Sequence, residues 1–157
     1  MAANEQPIRS LLVPLADGQL LVPGSLIAEV VDYIPPRDPP KGAPEWLLGE
    51  SEWRGQRVPC VAFEALCEKR IQEPGARSRL VVLKAVSDAA PGPYIALRSH
   101  AIPRLLNVEP GALESLQDDD DASGLPPIDQ YVLVQGEPAF IPDVDEVERT
   151  IGRYYTA

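Results

Sequence analysis

The residues of this 157-residue chain that could do chemistry are one histidine, two cysteines, a run of four aspartates and a Trp-Arg-Gly triplet. His100 with Cys60 or Cys67 would be the makings of a thiol hydrolase, in which an imidazole takes the thiol proton. Such a site also needs an orienting group, and the sequence neighbours of His100 are Arg98 and Ser99. Neither cysteine stands in a recognisable nucleophile setting, so both read as buried free thiols rather than as a catalytic residue or a disulfide. The aspartates begin an EF-hand pattern at Asp119, Asp121, Ser123 and Gly124, and the pattern then breaks. Pro126 and Pro127 fall inside the loop, and Gln130 stands where a bidentate glutamate belongs. Asp118–Asp121 therefore reads as part of a solvated acidic loop. Phosphate-binding glycine loops and CxxC pairs are missing from the sequence, so no catalytic residue, cofactor or metal is expected.

Trp53-Arg54-Gly55 is different in kind. It sits at the centre of Pro44 to Cys67, with an apolar entry at Trp46, Leu47 and Leu48 and an apolar exit from Val58 to Phe63. That pattern predicts strand, tight turn, strand, with Gly55 supplying the backbone freedom of the reversal. Trp46 reads as a core residue anchoring the hairpin. An arginine on such a turn is held away from the core, and a neighbouring tryptophan makes Trp53 and Arg54 candidates for partner binding.

The elements that would carry this turn are short. Proline is abundant, with 18 residues, and lies between apolar runs rather than inside them. Ile8–Leu15 and Gln19–Val22 flank Asp17-Gly18 as a hairpin, with Pro14 suggesting an edge strand or a bulge. For residues 24–31 a short helix capped by Ser25 is expected, because Leu26/Val30 and Ile27/Val31 fall at i,i+4. Its β-branched residues make a strand the alternative. Pro35–Pro44 reads as a stiff extended connector and a candidate lobe boundary. Arg77–Val86 reads as the clearest buried strand, since Leu80-Val81-Val82-Leu83 is a continuous apolar run bounded by polar residues. A hairpin return follows at Tyr94–Leu97, then strands within Ala101–Val108, Ile128–Val134 and Pro138–Ile141. A final helix has Asp143 and Glu146 as a capping box. The whole predicts an all-β chain of small barrels, one domain or two lobes sharing the chain.

The formal net charge of −10 argues against a nucleic-acid partner, since no basic cluster offsets it. No apolar run approaches the ~20 residues a membrane helix needs. With no signal peptide at its start, the chain is expected to be soluble and cytoplasmic.

The order of these features resembles the CheW-like chemotaxis coupling family. The residues that carry the likeness are Ile27-Ala28-Glu29-Val30, the proline stretch Pro35–Pro44, Gly49 with Arg54-Gly55, and Val58-Pro59-Cys60-Val61. The strand Arg79–Leu83 and the terminal hairpin Val132–Ile141 also fall in place, so the likeness covers roughly residues 8–151. Trp53 departs from the small apolar residue the family usually has before its Arg-Gly pair. Within the family, the short form is similar to members that serve chemosensory systems controlling type IV pili.

The resemblance implies two intertwined five-stranded SH3-like barrels with a core between them, forming a single domain over 8–151 with tails at 1–7 and 152–157. It implies an adaptor without catalysis that binds the regulatory domain of a CheA-type histidine kinase and the cytoplasmic tip of a methyl-accepting chemoreceptor. By position, Val30, Gly49, Arg54 and Gly55 would face the receptor. Two other readings remain open from the residues: the Cys/His hydrolase, and a stand-alone barrel acting as chaperone or inhibitor.

Overall fold

The computed structural model describes residues 7–16, 18–67, 69–109, 114–115 and 127–155. The run Asp118–Asp121, the EF-hand-like residues Asp119 to Gly124, and Asp17 of the first hairpin turn lie outside them. Strands β1 (Ile8–Leu15) and β2 (Gly18–Pro23) form the first hairpin. Then come β3 (Ile27–Asp32), β4 (Leu47–Trp53) and β5 (Gln56–Val61), and a one-turn helix, α1 (Phe63–Leu66). The antiparallel pair β6 (Arg79–Lys84) and β7 (Tyr94–Ser99) follows. The chain ends with β8 (Arg104–Val108), the two-residue β9 (Glu114–Ser115), the hairpin of β10 (Ile128–Val134) and β11 (Glu137–Pro142), and helix α2 (Val144–Gly152).

These strands make two sheets, ordered β8-β1-β2-β11-β10-β9 and β3-β6-β7-β5-β4. The chain begins in the first, builds all of the second, and returns to finish the first. This is the all-β, two-lobed architecture expected, with five strands in one lobe and five plus the short β9 in the other.

Three apolar clusters explain why the strands alternate as they do. Leu12, Leu21, Val132, Val134 and Ala139 fill the first lobe, and Val58, Cys60, Leu80, Val82 and Ala96 fill the second. Leu11, Val13, Leu20, Val22, Val81, Leu83, Ile95 and Leu97 meet between the lobes, joined by Val147 and Ile151 of α2. Successive side chains of a strand point to opposite faces. In β6, Leu80 and Val82 therefore enter the lobe while Val81 and Leu83 enter the shared core, which is why the run is apolar without interruption.

Four local expectations are corrected. Only Gly24–Leu26 is helical, as a single 3-10 turn with no side-chain cap, and Ile27 onward is strand. The β-branched residues there pair with β6, so tertiary pairing outweighs the i,i+4 spacing. Strand β1 is not an edge strand: it lies between β2 and β8. Pro14 is tolerated because pairing with β8 stops at Leu12, and the Pro14 carbonyl instead accepts from His100 N at 2.8 Å.

The proline connector is not a boundary between lobes. It leaves edge strand β3 and returns along the outer side of β4, the opposite edge of the same sheet. There Arg37 N donates to Glu50 O at 2.9 Å, and Glu50 N donates to Arg37 O at 2.8 Å. Ser51 Oγ donates to Ile34 O at 2.9 Å, so the connector forms the seam of the second lobe. At α2, Asp143 caps by accepting from Glu146 N at 3.1 Å, but the box is half made. The Glu146 carboxylate turns to Arg149 and Thr150 instead.

Candidate functional site

The Trp53-Arg54-Gly55 hairpin forms as its sequence predicts. Arg54 and Gly55 are the two turn residues between β4 and β5, with φ of 51° and 77°. Positive φ at both positions is the two-residue turn that suits the twist of paired strands, and Gly55 adopts it without strain. Arg54 projects into solvent, its side chain 67% exposed.

Beneath the turn lies a residue that the spacing did not single out. Glu29 Oε1 on β3 accepts from Trp53 Nε1 at 2.9 Å and from Arg54 Nε at 3.2 Å, and it pairs with Arg54 Nη2 at 3.1 Å. The Trp53 hydrogen bond, with the Arg54 hydrogen bond and charge behind it, holds the Glu29 carboxyl below its ordinary value despite some loss of water. Trp53 also meets Tyr94 edge-on, ring centroids 4.7 Å apart. The signal for Glu29 was its place in the Ile27–Val30 motif. What the sequence could not give was the tertiary contact that sets Glu29 of β3 against Trp53 and Arg54 at the end of β4.

The other expected site residues divide. Val30 follows Glu29 on β3 and lines a groove of about 560 Å³ between the lobes, with Leu11, Ile27, Pro103 and Leu105. Leu105 is 61% exposed there, a large apolar side chain presented to water on β8. Gly49 belongs to neither surface. It is buried, with φ of 121°, and a Cβ there would lie 2.5 Å from the Arg37 carbonyl oxygen. Its bareness lets the connector lie against β4.

The thiols do not assemble with the histidine into a hydrolase. Cys60 is buried inside the second lobe, donating weakly to Ser51 Oγ at 3.4 Å, while Cys67 packs in the shared core. Burial pushes the Cys60 thiol up to about 11, the opposite of what a nucleophile requires. His100 is exposed at the bend after β7, beside a small polar cleft with Glu64 and Arg98. Arg98 is itself committed: it donates to Glu64 Oε2 at 3.3 Å and to the Gln72 carbonyl, both charged groups being buried. Among the described residues no group of three or more His, Cys, Asp or Glu could hold a metal ion, and no helix is long and apolar enough to cross a membrane.

Two sheets share one core and carry an apolar groove between them, with the Glu29–Arg54 pair on the adjoining strand and turn. Comparison with known proteins gives this architecture its family. The profile of the CheW-like domain matches residues 9–150, and the chain belongs to that family. Among solved structures it is similar to the scaffolding protein TtCheW from Thermoanaerobacter tengcongensis, with a TM-score of 0.74 at 14% identity, over 92% of this chain and 89% of that one. No curated protein sequence matches it.

Proposed function

We propose that this chain is a non-catalytic, cytoplasmic adaptor that couples a methyl-accepting chemoreceptor to a CheA-type histidine kinase. The observation that carries the reading is the interlobe groove: Val30 and Leu105 stand exposed on facing lobes, and the space between them has the apolar lining a helix face fits. The occupant is the helical cytoplasmic tip of the receptor, and Arg54, on the other side of β3, supplies a polar contact that fixes its register. The regulatory domain of the kinase, of the same fold, meets the sheet edges. Nucleic acid and direct membrane insertion have no part in this function. Within the family, we favour a ChpC-like member serving type IV pili.

Titration calorimetry with a soluble receptor-tip fragment tests the reading. Arg54→Ala weakens binding by about 2 kcal/mol, the scale of an interface arginine. Leu105→Asp, at a site already exposed, abolishes binding while the melting temperature stays put. Wild-type affinity in both variants would refute the groove. Failure of the wild-type chain to capture either receptor or kinase would move the assignment to a stand-alone barrel inhibitor.

A further inference from the structure

An ion pair as exposed as Glu29–Arg54 is ordinarily a fluctuating contact, because two long side chains give up rotamer freedom for an attraction that water screens. Three further contacts converge on this one. Trp53 Nε1 donates to the same Glu29 oxygen that accepts from Arg54. The Arg54 guanidinium lies over the Trp53 ring, 5.2 Å from its centroid, within reach of a cation–π attraction. The indole is held edge-on by Tyr94, ring centroids 4.7 Å apart, and packs against the apolar interior of the second lobe. From this convergence we infer that Trp53 is a positioning residue, which clamps Glu29 and Arg54 into one geometry so that the arginine meets its partner pre-organised.

The inference rests on the reading of Arg54 as partner-facing, and it adds what the Arg-Gly turn alone lacks. A two-residue turn fixes the Arg54 backbone but leaves its side-chain torsions free. The indole removes that freedom from two directions, by a hydrogen bond to the counter-ion and by a face under the guanidinium. Ordering that is complete before binding is not subtracted from the affinity afterwards. The same contacts make the pair less sensitive to salt than its exposure suggests.

Trp53→Phe tests this, since it keeps the ring and loses the N–H. In NMR titration, Glu29 of the variant titrates closer to the ordinary carboxyl value, and solvent exchange of the Arg54 Nε–H quickens several-fold. Affinity for the receptor-tip fragment falls about 5-fold, with a steeper salt dependence than in the wild type. Unchanged Glu29 titration and Arg54 exchange in folded Trp53→Phe would overturn the clamp. Loosened side chains with unchanged affinity would overturn pre-organisation. Should Trp53→Phe fail to fold, Tyr94→Leu carries the same expectations at smaller size, because it leaves the indole N–H but removes its support. Wild-type binding by Arg54→Ala would instead refute the partner-facing role of Arg54, while the titration and exchange results would stand by themselves.

Discussion

The thiol of Cys60 lies among Val58, Leu80, Val82 and Ala96, where a thiolate has no water to stabilise it. Its raised pKa is a statement about stability as well as reactivity. The folded chain holds the proton up to about 11, whereas an exposed thiol releases it near 9.0. The stabilisation is therefore whole below pH 9.0 and is lost as pH rises through about 11, in total up to roughly 2.5 kcal/mol. Urea unfolding followed across that window checks it: the alkaline loss shrinks in Cys60→Ala, and a wild-type loss of the same size in that variant would rule Cys60 out. A thiol reagent at neutral pH should modify neither cysteine until the protein is unfolded. Glu29 carries the opposite sign. Its carboxyl is depressed below the ordinary 4.5, so the contact with Trp53 and Arg54 is whole above that value and fails as pH falls below it. Indole fluorescence of Trp53 should report that acid transition, and Glu29→Gln should abolish it.

At the scale of elements, the second lobe depends on a seam that its sequence half disguises. Five prolines in Pro35–Pro44 announce a stiff extended segment, which is what forms. They do not announce that the segment turns back onto β4, because the pairing of Arg37 with Glu50 is a tertiary contact and not a matter of local propensity. The same limit hid the partner of Trp53. Glu29 is 24 residues away in sequence, and the two meet only because β3 and the end of β4 come together. Where a pattern is local it was legible: the uninterrupted apolar run of β6 and the turn at Arg54-Gly55 needed no tertiary knowledge. Where local and tertiary preferences competed, as at Ile27–Val31, pairing with β6 prevailed over helical spacing. Gly49 is the sharpest case, since the family likeness placed it beside the receptor and the fold places it beneath Arg37. Gly49→Ala forces a Cβ to within 2.5 Å of a backbone oxygen at a φ of 121°. It should destabilise by about 2 kcal/mol or more, read by thermal melting, and speed amide exchange at Arg37 and Glu50. A variant as stable as wild type would show that the connector yields easily.

For the whole molecule, the question is what keeps two lobes in the relative position that a groove between them requires. Shared core residues do part of this, and α2 does another part. The helix follows β11 of the first lobe and inserts Val147 and Ile151 into the shared core. It then reaches the second lobe through Glu148, which is 0% exposed. The Glu148 carboxylate accepts from Val86 N at 2.7 Å and from Ser87 N at 2.8 Å, in the turn that joins β6 to β7. A buried carboxylate is costly unless donors replace its water, and these two backbone amides supply that replacement. Gly152, one turn further, lets the helix end abut the same turn, since a Cβ there would lie 2.2 Å from the Ala89 carbonyl oxygen. Glu148→Ala removes the acceptor and strands both donors, which should cost about 3 kcal/mol in urea unfolding. Val86 and Ser87 amides should exchange faster, whereas those of Leu12 and Val132, inside the first lobe, should change only as global stability does. Because the groove is lined from both lobes, affinity for a receptor-tip fragment should fall as well, although Glu148 is not among the residues lining it. Full affinity in a destabilised Glu148→Ala would show that the shared core alone sets the lobe geometry.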